Sequence, residues 1–487
     1  MIKSTIKIHD KFSVVIDVTY DKLFNKKKSK YTTITYLFIP DSLNINDKTY
    51  PPTKFYNDNR VFIKYDTPSY TLEDINIGEK SLLRNLEKNT EKYIKNQSEK
   101  NRSLYNDQVK MFAATFSSLL RGRVSSLLRS KKDISQNIDD LLQKIDLVLK
   151  EFRVIVEKIN QSTLKDKNKS GVLYADEHVS NVIELQLMEL YNYLQKIDVS
   201  SHSSTAIVAL INSEQKYKKQ KVYDSPKDKN SKPEELLYKR NQLKKYVESV
   251  FFLNQDIRKD GAVFEQSMLA LAAGLAMVFS TGIAFYYQMM YGNFTMPFFI
   301  ALVMSYMLKD RIKGWISMSF VSKSSSFFYD FKIKITNSLG KKVGKIKENF
   351  VFVPLKKLGA KVRSHRQKDL IVKMDIDDLH EQVIQYKKKI IIYPKKFGDD
   401  LPDENIVGLT DIMRLNFHRF IQYMDDPKKD FILIKKGEVY NKVADKIYHI
   451  NIIQKLYTEE GINFKRYRVI MNRNGIKKIE NIQLDSV

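Results

Sequence analysis

The feature that most limits the possible folds of this chain is a long run without charged residues near its middle. Between Gln266 and Leu308 there is no Asp, Glu, Lys or Arg, and the run is rich in Leu, Ala, Met, Phe and Ile. One straight helix of this length would extend about 65 Å, roughly twice the ~30 Å hydrocarbon core of a bilayer. The run therefore predicts two membrane-crossing helices, which we place at residues 266–288 and 295–310.

A turn between the two helices is also visible in the sequence. Gly292 and Asn293 favour a turn, and Pro297 suits the first turn of a new helix. An apolar hairpin buried inside a large domain is the alternative to a transmembrane hairpin. Within the first helix, small residues recur at four-residue intervals, a spacing that lets a second helix pack closely. These residues are Ala272, Ala276, Ser280 and Ala284.

Basic residues flank the charge-free run on both sides, while the connection inside it is uncharged. The positive-inside rule then places both flanks, and both termini, on the cytoplasmic side. A bacterial inner membrane is the favoured location, and an endoplasmic membrane is the alternative. Residues 311–322 have the pattern of an interfacial amphipathic helix anchored by Trp315. The flanking cations are Lys244, Lys245, Arg258, Lys259, Lys309, Arg311 and Lys313.

The rest of the sequence divides by its periodicity. Alternating apolar residues predict strands near the N-terminus, and a heptad seam over residues 134–159 favours a bundle helix over an isolated coiled coil. A helix over residues 236–257 carries Asn254 at a heptad position, where it either sets an oligomeric state or marks the end of the packed helix. Residues 409–424 predict an amphipathic helix, and residues 465–480 predict a hairpin that turns near Gly475.

The predicted segments follow from these patterns in chain order. They are an antiparallel β domain (1–77), a helical bundle (78–212), a basic flexible linker (213–233), a helix leading to the membrane (234–263), the transmembrane hairpin (264–310), the interfacial helix (311–322), a basic juxtamembrane segment (323–373) and an α+β C-terminal domain (374–487).

The chain is strongly basic, with 83 Lys and Arg against 57 Asp and Glu and a formal net charge of +26. Such a balance indicates acidic partners. The excess is dense over residues 332–373, close to the predicted membrane exit, which favours anionic lipid headgroups. Nucleic acid and an ordinary solvated surface are the alternatives. The candidate contact residues are Lys341, Lys342, Lys345, Lys347, Lys356, Lys357, Lys361, Arg363 and Arg366.

Catalytic chemistry is not indicated by any motif. The absence of cysteine excludes disulfides, cysteine-based metal sites and a cysteine nucleophile. Two acid–histidine groups, at 176–178 and 375–381, lack a recognised metal-ligand spacing, and acids in the first turn of a helix explain them more simply. Phosphate-binding loops and nucleophile elbows are absent. We therefore predict no catalytic residue, cofactor or metal, and an enzyme only through an unfamiliar site at 375–381.

The sequence predicts an α+β integral membrane protein in which a two-helix transmembrane hairpin separates a cytoplasmic β-plus-helical-bundle region from a basic C-terminal α+β region. The function it favours is a membrane-anchored, non-enzymatic scaffold or sensor. The alternative is a membrane-tethered nucleic-acid-binding protein. The predicted partner is the lipid bilayer, through anionic headgroups. Nucleic acid is the alternative, and the helical region is predicted to bind a second copy of the chain or another protein.

Overall fold

The computed structural model describes most of the chain. The described residues are 2–21, 27–68, 70–75, 81–129, 134–197, 202–223, 232–293, 295–338, 340–368, 378–396, 406, 408–435, 437–458 and 461–484.

Fourteen strands and eleven α-helices are formed within these residues. The strands are β1 (Ile2–Asp10), β2 (Ser13–Asp21), β3 (Ser29–Pro40), β4 (Arg60–Tyr65), β5 (Asn254–Lys259), β6 (Phe331–Thr336), β7 (Lys342–Phe352), β8 (Glu381–Ile392), β9 (Gly408–Asn416), β10 (Lys428–Lys435), β11 (Glu438–Asp445), β12 (Tyr448–Tyr457), β13 (Ile462–Asn472) and β14 (Gly475–Ile482). The helices are α1 (Pro52–Asp58), α2 (Leu82–Lys95), α3 (Glu99–Arg129), α4 (Ile134–Asn160), α5 (Asp166–Lys196), α6 (His202–Gln220), α7 (Pro233–Glu248), α8 (Ala262–Tyr291), α9 (Met296–Phe327), α10 (Ala360–Gln367) and α11 (His418–Ile421).

The chain forms two compact units that are both discontinuous in sequence. Unit 1 consists of residues 1–62, 254–396 and 411–487, and unit 2 of residues 63–253 and 397–410. These units cut across the contiguous segments that periodicity suggested, because strands from both ends of the chain meet in one sheet of unit 1.

That sheet has eight strands in the order β14-β13-β12-β3-β8-β7-β6-β5, and every neighbouring pair is antiparallel. A four-stranded sheet has the order β1-β2-β9-β4, and β10 and β11 form a separate two-stranded ribbon. Antiparallel strands alternate their side chains between two faces, so each strand of the large sheet presents one row to each side.

On one side of β8, Ile384, Tyr386, Lys388 and Ile390 are buried. On the other side, the intervening side chains are only half-buried. Near the start of β8 this second face is covered by α10, whose Val362 packs in a cluster with Phe38 and Val383. Further along β8 this face carries Lys387 and Lys389, which are half-buried.

Unit 2 contains the helices α2 to α7 and buries the heptad seam of α4. Ile138, Ile145, Phe152 and Ile159 have no exposed surface. The helix predicted over 236–257 is shorter than expected: α7 ends at Glu248, and Asn254 begins strand β5. The predicted linker is also partly helical, since α6 continues to Gln220, while residues 224–231 lie outside the described residues.

The predicted transmembrane hairpin is the main correction. Among the described residues, only α8 is long and apolar enough to cross a membrane, a criterion of length and composition alone. Helix α9 fails this criterion because its apolar part, residues 296–308, is short and is followed directly by Lys309, Asp310, Arg311 and Lys313. The helix itself does not end near residue 310 but continues to Phe327. The α+β character stands, but the two-helix transmembrane hairpin is wrong, and most of the chain is an ordinary α+β fold.

Two shorter elements also differ from expectation. The interfacial helix predicted at 311–322 is a continuous part of α9. The amphipathic helix predicted at 409–424 is instead strand β9 followed by the four-residue α11. The prediction of a helix was wrong here because Asp411 is buried in β9. A charged residue at a buried strand position hides the alternation that would have indicated a strand. The hairpin predicted at 465–480 is formed by β13 and β14.

Candidate membrane anchor and basic face

The hairpin of α8 and α9 starts and ends at one point of the large sheet in unit 1. Strand β5 precedes α8 and strand β6 follows α9, and the two strands pair so that Lys259 lies opposite Phe331. Residues 260–330 therefore leave the sheet and return to the same place. At this root, Gly261 has φ +77°, and a Cβ atom there would lie 2.6 Å from the ring of Phe328. Only glycine fits this position without displacing the ring.

Small side chains form the inner face of the hairpin. Ala272 and Ala276 have no exposed surface, and Ala301 on α9 is 8% exposed. The Ser280 hydroxyl lies 3.3 Å from the Ser305 hydroxyl across the interface, and Ala284 is half-buried. The four residues of the predicted stripe thus lie on or next to the contact between the two helices, which small residues allow to be close.

Large apolar side chains cover the outer face of the hairpin. A helix pair in water would instead have polar side chains on its outer face and large apolar ones between the helices. Met289 is 89% exposed and Val278 is 71% exposed. A continuous exposed apolar surface of this kind marks an interaction site. The exposed large apolar residues from position 275 to position 308 are Leu275, Met277, Val278, Phe279, Phe285, Tyr286, Met289, Met290, Tyr291, Met296, Phe299, Ile300, Leu302, Val303, Met304, Tyr306, Met307 and Leu308.

The tip of the hairpin is the turn that the sequence predicts. Gly292 has φ +74°, and the Asn293 side chain accepts a hydrogen bond of 2.8 Å from Gln288 Nε2. Pro297 is the second residue of α9. The charge-free run is therefore folded back on itself at its middle.

The charge-free part of the hairpin is shorter than a bilayer core. The Ser280–Ser305 contact sets the register of the arms and places Lys309 level with Ala276. From there to the tip each arm is about 22 Å long at 1.5 Å per residue, against about 30 Å of hydrocarbon. Lys309 Nζ lies 3.9 Å from the Tyr306 ring centroid, and Trp315 is 70% exposed beyond the charges.

Next to the root, one face of the large sheet is basic. Lys332 on β6 lies between Arg258 on β5 and Lys347 on β7, and Lys347 also lies opposite Lys389 on β8. Lys334 likewise faces Lys345. Like charges directly opposite each other in a sheet are destabilising. We call this surface the basic face; it consists of Arg258, Lys332, Lys334, Lys345, Lys347, Lys387 and Lys389.

Acids neutralise only part of the basic face. Lys347 donates a hydrogen bond of 2.5 Å to Asp260, and Arg258 forms an ion pair with Asp256, with 2.8 Å between Arg258 Nη2 and Asp256 Oδ2. Tyr329 lies over the same face, with its ring 5.4 Å from Lys347 Nζ and 5.7 Å from Lys387 Nζ. Within the described part of the chain, these two carboxylates do not balance the seven cations of the basic face, which keeps a net positive charge.

A cleft of about 620 Å³ opens where the basic face meets the root of α8. Burial lowers the pKa of Lys345 in this cleft, and the nearby Lys332, Lys347 and Lys342 lower it further against an opposing effect of Asp260. An anion bound in the cleft would relieve this mutual repulsion. The lining residues are Asp256, Arg258, Lys259, Asp260, Gly261, Ala262, Val263, Lys332, Lys334, Lys342 and Lys345.

Only some of the nine predicted contact residues belong to this surface. Lys342 and Lys345 line the cleft, Lys347 is on the basic face, and Lys341 is exposed just before β7. The structure separates the others from the cleft. Lys356 and Lys357 are exposed in the 3₁₀ helix Leu355–Lys357, Lys361 is exposed and Arg363 half-buried on α10, and Arg366 is buried with two hydrogen bonds, of 3.0 and 2.6 Å, to Glu381.

Sequence reasoning missed the contributions of β5 and β8 to the basic face. Arg258, Lys387 and Lys389 lie outside the predicted basic stretch, and the strand pairing brings them to the same face. Lys332 and Lys334 lie within that stretch and are not among the nine predicted contacts, although their alternation with the buried Ile333 and Ile335 indicates one exposed row of a strand.

The first acid–histidine group is a structural part of unit 2. Asp176, Glu177 and His178 lie in the interior of α5, so the explanation by the first turn of a helix is wrong. Asp176 accepts hydrogen bonds of 2.7 Å from Tyr217 and 3.0 Å from Tyr223. Burial raises the pKa of Asp176, although Arg153 and both tyrosines oppose this effect. Both hydrogen bonds end on Asp176 Oδ2, while Oδ1 lies 3.7 Å from Arg153 Nε. The group is thus part of a buried polar network between helices of unit 2.

The described part of the second group, from Asp378 onwards, leads into strand β8. Asp375 and Asp377 lie outside the described residues, while His380 precedes β8 and Glu381 begins it. Glu381 is bound by Arg366, as described above. Among the residues that the structure describes, no three His, Asp or Glu side chains are grouped closely enough to hold a metal ion.

Comparisons with protein-family models, with curated proteins and with solved structures give no match for this chain.

Proposed function

We propose that this chain is a membrane-attached, non-enzymatic scaffold or sensor whose α8–α9 hairpin is embedded in a bilayer from one side. The observation that supports this most is the reversed packing of the hairpin, with small residues inside and large apolar residues outside. Transfer of each such side chain out of water contributes about 1.5–3 kcal/mol. The outer face has eighteen of them between positions 275 and 308, which no charged residue interrupts.

Lipid is the occupant that the charge distribution favours. The tip carries only apolar and uncharged polar groups, and the first charges of α9 follow about 22 Å from the tip. A partner protein would not require the charges to stop at one level. Because this length is less than the hydrocarbon core, the hairpin enters the bilayer without crossing it, and Lys309, Arg311 and Trp315 lie towards the headgroups.

Both flanks of the hairpin belong on one side of the membrane in this proposal. The pairing of β5 with β6 brings the two ends together, and unit 1 is assembled from both flanks. The basic residues at the root favour the cytoplasmic side. We propose a bacterial inner membrane as the location on the same ground.

The test uses the full chain and its single tryptophan, Trp315. With vesicles of neutral lipid, we expect the chain to float with the vesicles and the Trp315 emission to shift to shorter wavelength. Lipids brominated near the headgroup should quench it more than lipids brominated near the acyl end. A chain that stays in solution overturns the anchor, and stronger quenching from the acyl end overturns the proposed depth.

Two matched double variants distinguish insertion of the hairpin into lipid from non-specific adsorption to vesicles. Met289→Asp with Phe299→Asp places two carboxylates on the hairpin tip and should abolish flotation. The control is Ile432→Asp with Ile434→Asp on β10, where the side chains are 66% and 75% exposed. Flotation should be unaffected by the control pair.

A second candidate function is binding of nucleic acid by the basic face. The specific observation is distance: the root at Ala262 lies about 21 Å along α8 from the level of Lys309. This exceeds a Debye length of about 8 Å at physiological salt. An upright hairpin would therefore hold the basic face away from the headgroups and leave it for another polyanion.

Fluorescence anisotropy with labelled DNA and RNA, using the full chain on neutral vesicles, tests this second function. Binding should weaken steeply with salt and should be lost in Lys332→Gln/Lys334→Gln/Lys345→Gln. It should persist in the control Lys356→Gln/Lys357→Gln/Lys361→Gln, which removes the same charge elsewhere. Equal loss in both variants, or recruitment to anionic vesicles without nucleic-acid binding, contradicts this function.

A further inference from the structure

Three titratable side chains meet in the core of unit 1, away from the hairpin and the basic face. Lys388 on β8 lies directly opposite Glu348 on β7, and Asp411 on β9 approaches the same point. Lys388 Nζ is 2.6 Å from Asp411 Oδ2 and 3.3 Å from Glu348 Oε1. Lys388, Glu348 and Asp411 are only 2%, 3% and 4% exposed.

This cluster contains one cation and two carboxylates, so its charges do not balance. Asp411 Oδ1 is buried and accepts no hydrogen bond within the described part of the chain. A buried carboxylate with incomplete pairing is costly, because little solvent or dipole compensates its charge. A reaction that removes charge from this cluster would therefore relieve the cost.

Two tyrosines, Tyr386 and Tyr20, are buried beside the cluster. Burial raises the pKa of each phenol well above its usual range, and the Glu348 and Asp411 carboxylates raise it further. Both phenols are therefore neutral, and the three charged groups lie together in a buried site beside them.

The protonation state of Lys388 determines whether its amine can react. Burial lowers the pKa of Lys388, but Asp411 and Glu348 outweigh this effect and raise it overall. The amine is therefore an ammonium group that needs a base before it can act as a nucleophile. Glu348 is at contact distance and supplies that base.

From this geometry we propose that Lys388 and Asp411 form an intramolecular isopeptide bond, with Glu348 as the proton carrier. Glu348 takes a proton from the Lys388 ammonium, and the free Nζ attacks Cγ of Asp411. The Nζ–Cγ bond forms and one Cγ–O bond breaks. Glu348 returns its proton to the leaving oxygen, which departs as water with a second proton from nitrogen. Ammonium and carboxylate become amide and water, so atoms and charge balance without any co-reactant.

Proximity and the dry enclosure drive the reaction. Holding two reacting groups in contact replaces a bimolecular encounter by an intramolecular step, which is a large kinetic advantage. Loss of the product water from the buried site favours the amide. The bond would link β8 of the eight-stranded sheet to β9 of the four-stranded sheet, and the closed loop would include the segment between residues 388 and 411.

Distance makes Asp411 the acceptor. It is the nearer carboxylate, at 2.6 Å against 3.3 Å, whereas both carboxylates have one buried oxygen, Asp411 Oδ1 and Glu348 Oε1, that accepts no hydrogen bond from the described residues. The Glu348 carboxylate instead interacts with the Tyr386 hydroxyl. That contact suits a group that shuttles a proton and remains unchanged.

Mass spectrometry of the intact, denatured full chain tests the proposal. We expect a mass lower than that of the sequence by one water. Tryptic digestion should leave Lys388 uncleaved and yield one branched peptide that contains Lys388 and Asp411. A chain at its full sequence mass overturns the proposal, as does a water loss that maps to any other site, including a link from Lys388 to Glu348.

Two variants test the roles of Glu348 as base and Lys388 as nucleophile, and each is checked for correct folding. Glu348→Gln keeps the shape of the side chain but removes the base, and Lys388→Arg keeps the charge but removes the nucleophile. Both should show the full sequence mass while retaining the wild-type circular dichroism spectrum. The control is Glu381→Gln at the start of β8, which should retain the water loss. Formation of the bond in folded Glu348→Gln would overturn the role of Glu348.

Discussion

The hydroxyl oxygens of Ser280 and Ser305 lie 3.3 Å apart, near the middle of the two arms of the α8–α9 hairpin. This contact fixes which residues of α9 lie level with which residues of α8. It shows that the cations beginning at Lys309 lie alongside Ala276, well inside the length of α8. The apolar length of α8 alone therefore overstates how deep the hairpin can enter a bilayer.

The close packing around this contact predicts that bulk at Ala276 is harmful. Ala276→Leu places a large side chain where no surface is exposed, and overpacking typically costs about 1–3 kcal/mol. Urea unfolding followed by Trp315 fluorescence should show a lower midpoint for this variant. Ala270→Leu is the control, since Ala270 is exposed on the same helix and should shift the midpoint little. An equal shift in both variants would show that the inner face is not tightly packed.

A buried ion pair in unit 2 predicts a large loss of stability on neutralisation. Lys218 Nζ lies 2.5 Å from Glu184 Oε2, and their side chains are 0% and 1% exposed. Burial lowers the pKa of Lys218 despite its pairing with Glu184. Glu184→Gln leaves that ammonium without its nearest carboxylate, which should cost about 3–5 kcal/mol.

Chemical denaturation of the full chain, monitored by circular dichroism, measures this change. The matched control is Glu235→Gln, because Glu235 is exposed and lies 3.4 Å from the exposed Lys232. Exposed pairs contribute about 0–1 kcal/mol. A loss for Glu184→Gln no larger than that of the control would contradict the buried pairing.

The pH dependence of unit 2 follows from His178. Burial, with smaller effects of Arg121 and Lys244, lowers the pKa of His178 to about 4 from 6.5. The unfolded chain therefore binds a proton between pH 6.5 and 4 that the folded chain does not bind. The contribution of His178 to the free energy of unfolding is therefore fully present above pH 6.5. It is lost as the pH falls towards 4, by up to about 3 kcal/mol.

His178→Gln should flatten the decline in unfolding free energy between pH 6.5 and 4. His418→Gln is the control, because His418 is exposed in unit 1 and should leave the decline unchanged. The measurement is urea unfolding at several pH values across the window. An unchanged slope in His178→Gln would show that this histidine is not held neutral.

The basic face predicts a variant that gains stability. Lys332 lies between Arg258 and Lys347 in register, so Lys332→Glu replaces two repulsive pairs by attractive ones at about 0.2–1 kcal/mol each. The urea midpoint should rise while binding of anions to the face falls. Lys356→Glu, outside the sheet, should change neither quantity. A lower midpoint in Lys332→Glu would mean that the cationic face is not under strain.

Much of the local structure could be predicted because its pattern is contained in a short stretch of sequence. The alternation in β2 and β3, the seam of α4 and the turn at Gly292 are examples. The extent of α9 could not be predicted in the same way. A charge-free run ends at Leu308, but the helix continues, and only the register with α8 shows how far the charges extend alongside it.

The polar core was beyond sequence reasoning for a different reason. Lys387, Lys388 and Lys389 are consecutive and chemically identical, yet only Lys388 is buried. Its burial depends on Glu348 and Asp411, which come from two other strands. Composition and periodicity describe each strand alone, whereas the basic face and this core cluster both arise from pairing between strands that are distant in sequence.

The root of the hairpin gives the last prediction. Gly261 has φ +77°, and a Cβ atom there would lie 2.6 Å from the Phe328 ring, so Gly261→Ala is unfavourable both in backbone conformation and in space. We expect a loss of about 1–3 kcal/mol in the stability of the hairpin root, measured by Trp315 fluorescence in urea. Gly314→Ala is the matched control, because Gly314 lies within α9 with no neighbouring atom in reach of a Cβ. Alanine there should raise stability by about 0.5–1 kcal/mol. Opposite signs for the two glycines would support the strained root, and equal stabilisation by both substitutions would contradict it.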